Sequence, residues 1–183
     1  MNLKRIQAAF ILSILLIAGH LVAYSRAASA KLTDVIKRSD LITMGSVSGI
    51  TAVNGYRVAT LRIEAVLKGN TAIREVRFLA SPTWTCDISD AQPGERGLYF
   101  LSLPNKETEF PSQYNGQPIY LIQHSGYGRM LTVGEGKFRL TSLIDLPEAF
   151  PKEEGRSENN ERFTLIATKD VVRLIRQVNT TQK

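Results

Sequence analysis

A single cysteine, Cys86, stands in the 183 residues, so no intrachain disulfide can form. Three readings of that thiol follow: a buried inert group, an intermolecular disulfide, or a reactive thiol. No histidine or cationic cluster lies beside it in sequence to lower its pKa, which favours the first. Histidine is as scarce. Beyond residue 30 only His124 occurs, and a zinc site needs several N, S or O ligands, so no metal or other cofactor is expected. No strand–loop–helix context surrounds a glycine pair, which excludes a phosphate cradle; Gly126-Tyr127-Gly128 and Gly134-Glu135-Gly136 read as turns. A nucleophile elbow is missing, and the acidic residues of 153–161 do not follow calcium-loop spacing. There is no internal repeat and no dense Lys/Arg block, so nucleic-acid binding is not expected.

What the sequence does have is one long apolar run, and it is at the start. Lys4 and Arg5 precede the apolar stretch from Ala8 to Tyr24, and Ala28-Ser29-Ala30 follows with small residues. This order is that of a secretory signal over 1–30, with Ala28 and Ala30 flanking the cleavage position and Lys31 as the mature terminus. The alternative is an uncleaved N-terminal anchor, the membrane then being met only through this segment. Lys4, Arg5 and Arg26 supply half of the net charge of +6, so much of the basicity belongs to the leader. The expected location is periplasmic or extracellular. A lone cysteine is unusual there, since exported domains carry cysteines in pairs.

The remainder reads as one mainly β domain. Leu32, Val35 and Ile36 predict a short helix over 31–39. Asn54-Gly55 predicts a two-residue hairpin turn between strands 41–53 and 56–68. In the second strand Leu61, Ile63, Ala65 and Leu67 alternate with Arg62, Glu64 and Lys68, which predicts one wet face. Further strands are expected at 73–79, 97–103, 119–123, 130–133 and 137–140, with ordered or polar loops at 80–96 and 104–118. Gly45 lies where a strand could bend around a barrel corner. The domain is expected over 31–143, then a flexible charged loop over 144–167. A C-terminal helix over 168–183 is to be capped by Thr168, with Val171, Leu174, Ile175 and Val178 on its docked face. Short strands, strong turns and end helices predict a small OB-like Greek-key β-barrel.

Three stretches carry a family resemblance. They are Ser39–Val47 with its glycine-bearing strand, Ala59–Gly69, and Cys86 followed by Pro93-Gly94-Glu95-Arg96-Gly97-Leu98-Tyr99-Phe100-Leu101. Together they resemble exported bacterial domains related to the netrin module and the tissue inhibitors of metalloproteinases, over roughly 32–140. The resemblance implies an OB-fold barrel with a helix at each end. The animal inhibitors chelate the protease zinc with an N-terminal cysteine; here Lys31 holds that place and Cys86 alone cannot form the family's disulfides. Inhibition by that mechanism is therefore not implied.

The expected function is a non-enzymatic binding module presenting loops 80–96 and 104–118 to a protein or glycan of the cell envelope. Trp84, Cys86, Tyr114, Tyr120 and Tyr127 are the candidate contact residues. Trp84 has a second reading as a plug of the barrel end. Two alternatives stand beside this one. One is an envelope component cross-linked through Cys86; the other is a hydrolase using His124, with adjacent Ser125 and an acid elsewhere.

Overall fold

The structure, a computed structural model, describes residues 28–83, 87–105, 109–157 and 159–181. Most of the expected leader, with Trp84 and Cys86, lies outside the described residues. The elements are β1 (Ala30–Lys31), α1 (Leu32–Arg38), β2 (Leu41–Val53), β3 (Tyr56–Lys68), β4 (Glu75–Leu79) and β5 (Arg96–Ser102). They continue as β6 (Gln113–Tyr114), β7 (Gln117–Ile122), β8 (Arg129–Thr132), β9 (Lys137–Leu140), β10 (Ile144–Asp145), β11 (Glu153–Arg156), β12 (Arg162–Ala167) and α2 (Thr168–Thr180).

The meander β2-β3-β4 closes on itself. β4 pairs in parallel with β7, β7 pairs with β5, and β5 pairs back onto β2. Five strands thus form a hydrogen-bonded ring, the closure expected of a small OB-like Greek-key barrel. Its interior holds Leu41, Val47, Leu61, Val76, Phe78, Tyr99 and Leu101. From β5 the sheet also runs outward through β8, β9, β12 and β11. Both helices cover one face of that extension over Leu98, Phe100, Met130, Phe138 and Ile166. β5 is therefore buried on both faces, which explains why it is the most continuously apolar strand.

Tight curvature comes from glycine and bulges. Gly45 pairs directly with Gly97. A Cβ on Gly45 would overlap the Arg62 carbonyl, and one on Gly97 the Met130 carbonyl. β2 and β3 shift register three times, so the simple alternation expected along β3 fails. Glu64 is an extra residue. Leu61, Ile63 and Val66 consequently face the barrel interior, Ala65 is exposed, and Leu67 packs toward the helices. Lys68, expected on the wet face, is half-buried and donates to the Ile36 and Lys37 carbonyls at 3.0 and 2.9 Å. A cation there closes the C-terminus of α1. Burial lowers the pKa of this ammonium, and Asp40 opposes the shift.

Two local expectations are corrected. Segment 144–167, expected as a flexible charged loop, contains β10, β11 and β12, and β11-β12 is an antiparallel hairpin on β9. The Phe163 ring fills the space a side chain at Gly155 would need, and Arg139 lies 4.7 Å above that ring. The aromatic thus replaces the packing that a strand glycine lacks. Thr168 does not cap α2: Ala167 occupies the cap with no side-chain bond, and the Thr168 amide donates to Gly136 O at 2.8 Å. Val171 and Ile175 are buried as expected, with Leu174 and Val178 packed alongside.

Candidate functional site

Loop 87–95 is held from two sides by arginines of the sheet. Arg57 on β3 pairs with Asp90 and donates to Ala91 O at 3.1 Å. Arg129 on β8 donates to Asp90 O at 2.7 Å and to Glu95 Oε2 at 2.9 Å, with Ile88 O at 3.4 Å. From below, the Ile88 amide donates to Ser125 O at 3.0 Å. Gly126 has φ +85° and lies so close that a Cβ would overlap the Ile88–Ser89 peptide, so this position needs glycine twice over.

Asp87 is the polar centre of the loop. Its Oδ2 accepts from the Thr83 amide at 2.8 Å and the Thr83 hydroxyl at 2.7 Å. Its Oδ1 accepts from the Ser89 amide at 2.8 Å and the Ser89 hydroxyl at 2.5 Å. Burial opposes ionisation, but the bonds from Ser89 and Thr83 together outweigh it, and the carboxyl is held below the usual carboxylate range. The carboxylate ties Thr83 to Asp87 and so clasps the two ends of the short segment carrying Trp84 and Cys86.

The facing turn is strained. His124, Ser125 and Gly126 follow one another with φ +53°, +51° and +85°. Left-handed backbone costs a non-glycine residue roughly 1–2 kcal/mol, and such outliers persist where surrounding bonds over-determine them. Here Gln123 N donates to Phe100 O at 2.8 Å and Phe100 N to Gly128 O at 2.9 Å, fixing both ends of the turn on β5. The His124 ring lies 5.7 Å from that of Tyr127, and its Nε2 is buried with no hydrogen-bond partner.

The loop and the turn form a common wall between two depressions. On one side a cleft of about 240 Å³ brings together Thr83, Asp87 and Ser89, Phe110 from the second loop, and His124 and Ser125. On the other side a groove of about 880 Å³ runs from Ile88 and Tyr127 along the sheet face not covered by helices, past Arg139 and Phe163, to Ile144 and Asp145. Arg139, Lys152 and Arg162 line it without a carboxylate at ion-pair distance among the described residues, while Asp145 and Glu148 add negative charge.

Loops 80–96 and 104–118, separate in sequence, thus meet at one cleft through Thr83, Asp87 and Phe110. The tyrosines do not form one patch. Tyr114 lies on β6 under Arg77, 5.3 Å from the ring centroid, in an aromatic cluster with Tyr56 and Phe110. Tyr120 on β7 packs against the barrel core, and burial raises its pKa, aided by Asp40. Tyr127 alone lines the groove. Ala30 is in β1. His124 and Ser125 share the cleft with Asp87, whose two oxygens accept from Thr83 and Ser89, and no hydrogen bond joins Asp87 to His124 among the described residues. Among the described residues no group of three His, Cys, Asp or Glu could hold a metal ion. No helix among them is long and apolar enough to cross a membrane.

Sequence reasoning missed Arg129, the partner of Glu95, and Tyr99. The Tyr99 side chain is fully buried and its hydroxyl has no partner. Burial pushes its pKa far up; Arg129 lowers it and Glu95 raises it. An unpaired buried hydroxyl is a net cost, so Tyr99→Phe is expected to gain about 1 kcal/mol in urea unfolding. A loss would reveal a partner for that oxygen. The chain matches no known family model and no curated protein.

Proposed function

We propose that this protein is a non-enzymatic binding module of the cell envelope, exported by its apolar leader. Its recognition surface is the cleft where loops 80–96 and 104–118 meet turn 123–128. One observation carries the reading. Loop 87–95 is fixed to the sheet by Arg57 and Arg129, to Thr83 by the Asp87 clasp and to turn 123–128 by the Ile88–Ser125 backbone bond, and beside it lie an imidazole with an unused Nε2 and the Phe110 ring. A preorganised concave site with a few convergent polar groups is what specific recognition needs. The partner is a protein or glycan. The ring closed by the parallel β4–β7 pair, with a helix before and after it, is the kind of barrel that the proposed resemblance to the netrin module and the tissue inhibitors of metalloproteinases implies.

The test compares capture from the native envelope fraction by wild-type protein and by Trp84→Ala, Phe110→Ala and His124→Ala variants, each checked for folding by circular dichroism. A defined partner retained by the wild type and lost at least tenfold with the variants is expected. Equal capture by folded variants rejects the surface. The hydrolase reading predicts instead an activity lost with His124→Ala; the occupied Asp87 oxygens speak against it. The cross-linking reading predicts a reducible dimer on non-reducing electrophoresis, absent in Cys86→Ser.

A further inference from the structure

Two short stretches near the end of the leader satisfy the small-residue requirement of signal peptidase: Ser25-Arg26-Ala27 and Ala28-Ser29-Ala30. Composition favours the second, which would make Lys31 the first residue. The fold does not. Ala30 and Lys31 form β1, in parallel register with Ile144 and Asp145 of β10. The Ala30 amide donates to Leu143 O at 2.9 Å, and the Ser29 hydroxyl donates to Asp145 Oδ2 at 2.7 Å. Ala30 also packs against the core beneath the helices. Cleavage after Ala30 would delete half of β1 and both of these bonds. It would also place a new ammonium at Lys31, the N-cap residue of α1.

We infer that the leader is removed between Ala27 and Ala28, with Ser25 and Ala27 as the small residues read by the peptidase. Ala28–Lys31 are kept as a strap on β10. The strap has a consequence for the binding surface, because Ile144 and Asp145 are part of the groove wall. The retained residues hold that wall against the domain. The inference rests on the export reading, and its test separates the two.

The full chain, expressed in its source cells, is recovered from the envelope and soluble fractions and its terminus read by intact mass and N-terminal sequencing. A chain beginning at Ala28 is expected. A chain beginning at Lys31 overturns the assignment and leaves export standing. An unprocessed chain held in the membrane fraction overturns the assignment in favour of an anchor, and an unprocessed soluble chain overturns export as well. Two full-length variants add a control independent of folding, since a large side chain next to the cut is not tolerated. Ala27→Leu is expected to abolish the Ala28 species, and Ala30→Leu to leave it unchanged. The reverse pattern overturns the assignment.

Discussion

Arg129→Met is expected to lower the unfolding free energy by about 2–3 kcal/mol, the upper range for hydrogen bonds to a charged group and below that for a fully buried ion pair. Arg129 and Glu95 are 11% and 21% exposed, and the guanidinium also serves the carbonyls of Asp90 and Ile88. Deleting it strands a half-buried carboxylate and unties the loop from β8. The control is Arg96→Met. Arg96 meets Glu64 through three hydrogen-bond contacts, but the pair is 57% and 35% exposed. Water competes for both groups, so its loss is expected to cost about 0–1 kcal/mol. Urea unfolding of the two variants decides the comparison. Adding Glu95→Gln to Arg129→Met is expected to recover part of the loss, because the stranded charge is then removed.

The contrast between these two ion pairs also shows what a sequence can convey. Local patterns were legible. Asn54-Gly55 with flanking alternation specifies the β2-β3 hairpin, and the i, i+3, i+4, i+7 stripe specifies α2. Barrel closure was legible only as a class, since a parallel pair between β4 and β7 leaves no local mark. The bulges at Glu64 and Ser48 were invisible because they depend on the partner strand, and they changed which residues face the core. The β11-β12 hairpin was hidden by its charge. Its strands lack alternation, and their packing comes from Phe163 over Gly155 and from the Lys137–Glu153 pair. At the site, His124 was visible as the lone histidine, but its left-handed backbone was not. The Arg129–Glu95 clamp joins positions far apart in sequence and gave no signal. Asp87 could have been found: an Asp followed two residues later by Ser is a local turn signature, and Thr83 four residues before it completes the clasp.

That clasp carries the second large effect. Asp87→Ala is expected to cost about 3 kcal/mol at pH 7, since a hydrogen bond to a charged group contributes 1.5–3 kcal/mol and four such contacts share one carboxylate. Asp87→Asn should cost less, because one oxygen still accepts, while the new amide meets donors that it cannot satisfy. The acid dependence has a fixed sign. The folded-state pKa of Asp87 is lowered, so its stabilisation is full above the unfolded carboxylate value near 3.9 and disappears as pH falls through the folded value. Wild type and Asp87→Asn should therefore differ most at neutral pH and converge in strong acid; a constant difference would mean that ionisation is not what the clasp uses. The same substitution also addresses the proposed recognition surface. Asp87 fixes the ends of the segment carrying Trp84 and Cys86, so releasing it should weaken partner capture more than the folded fraction falls. Capture that tracks the folded fraction alone would make Asp87 a stabilising residue and nothing more.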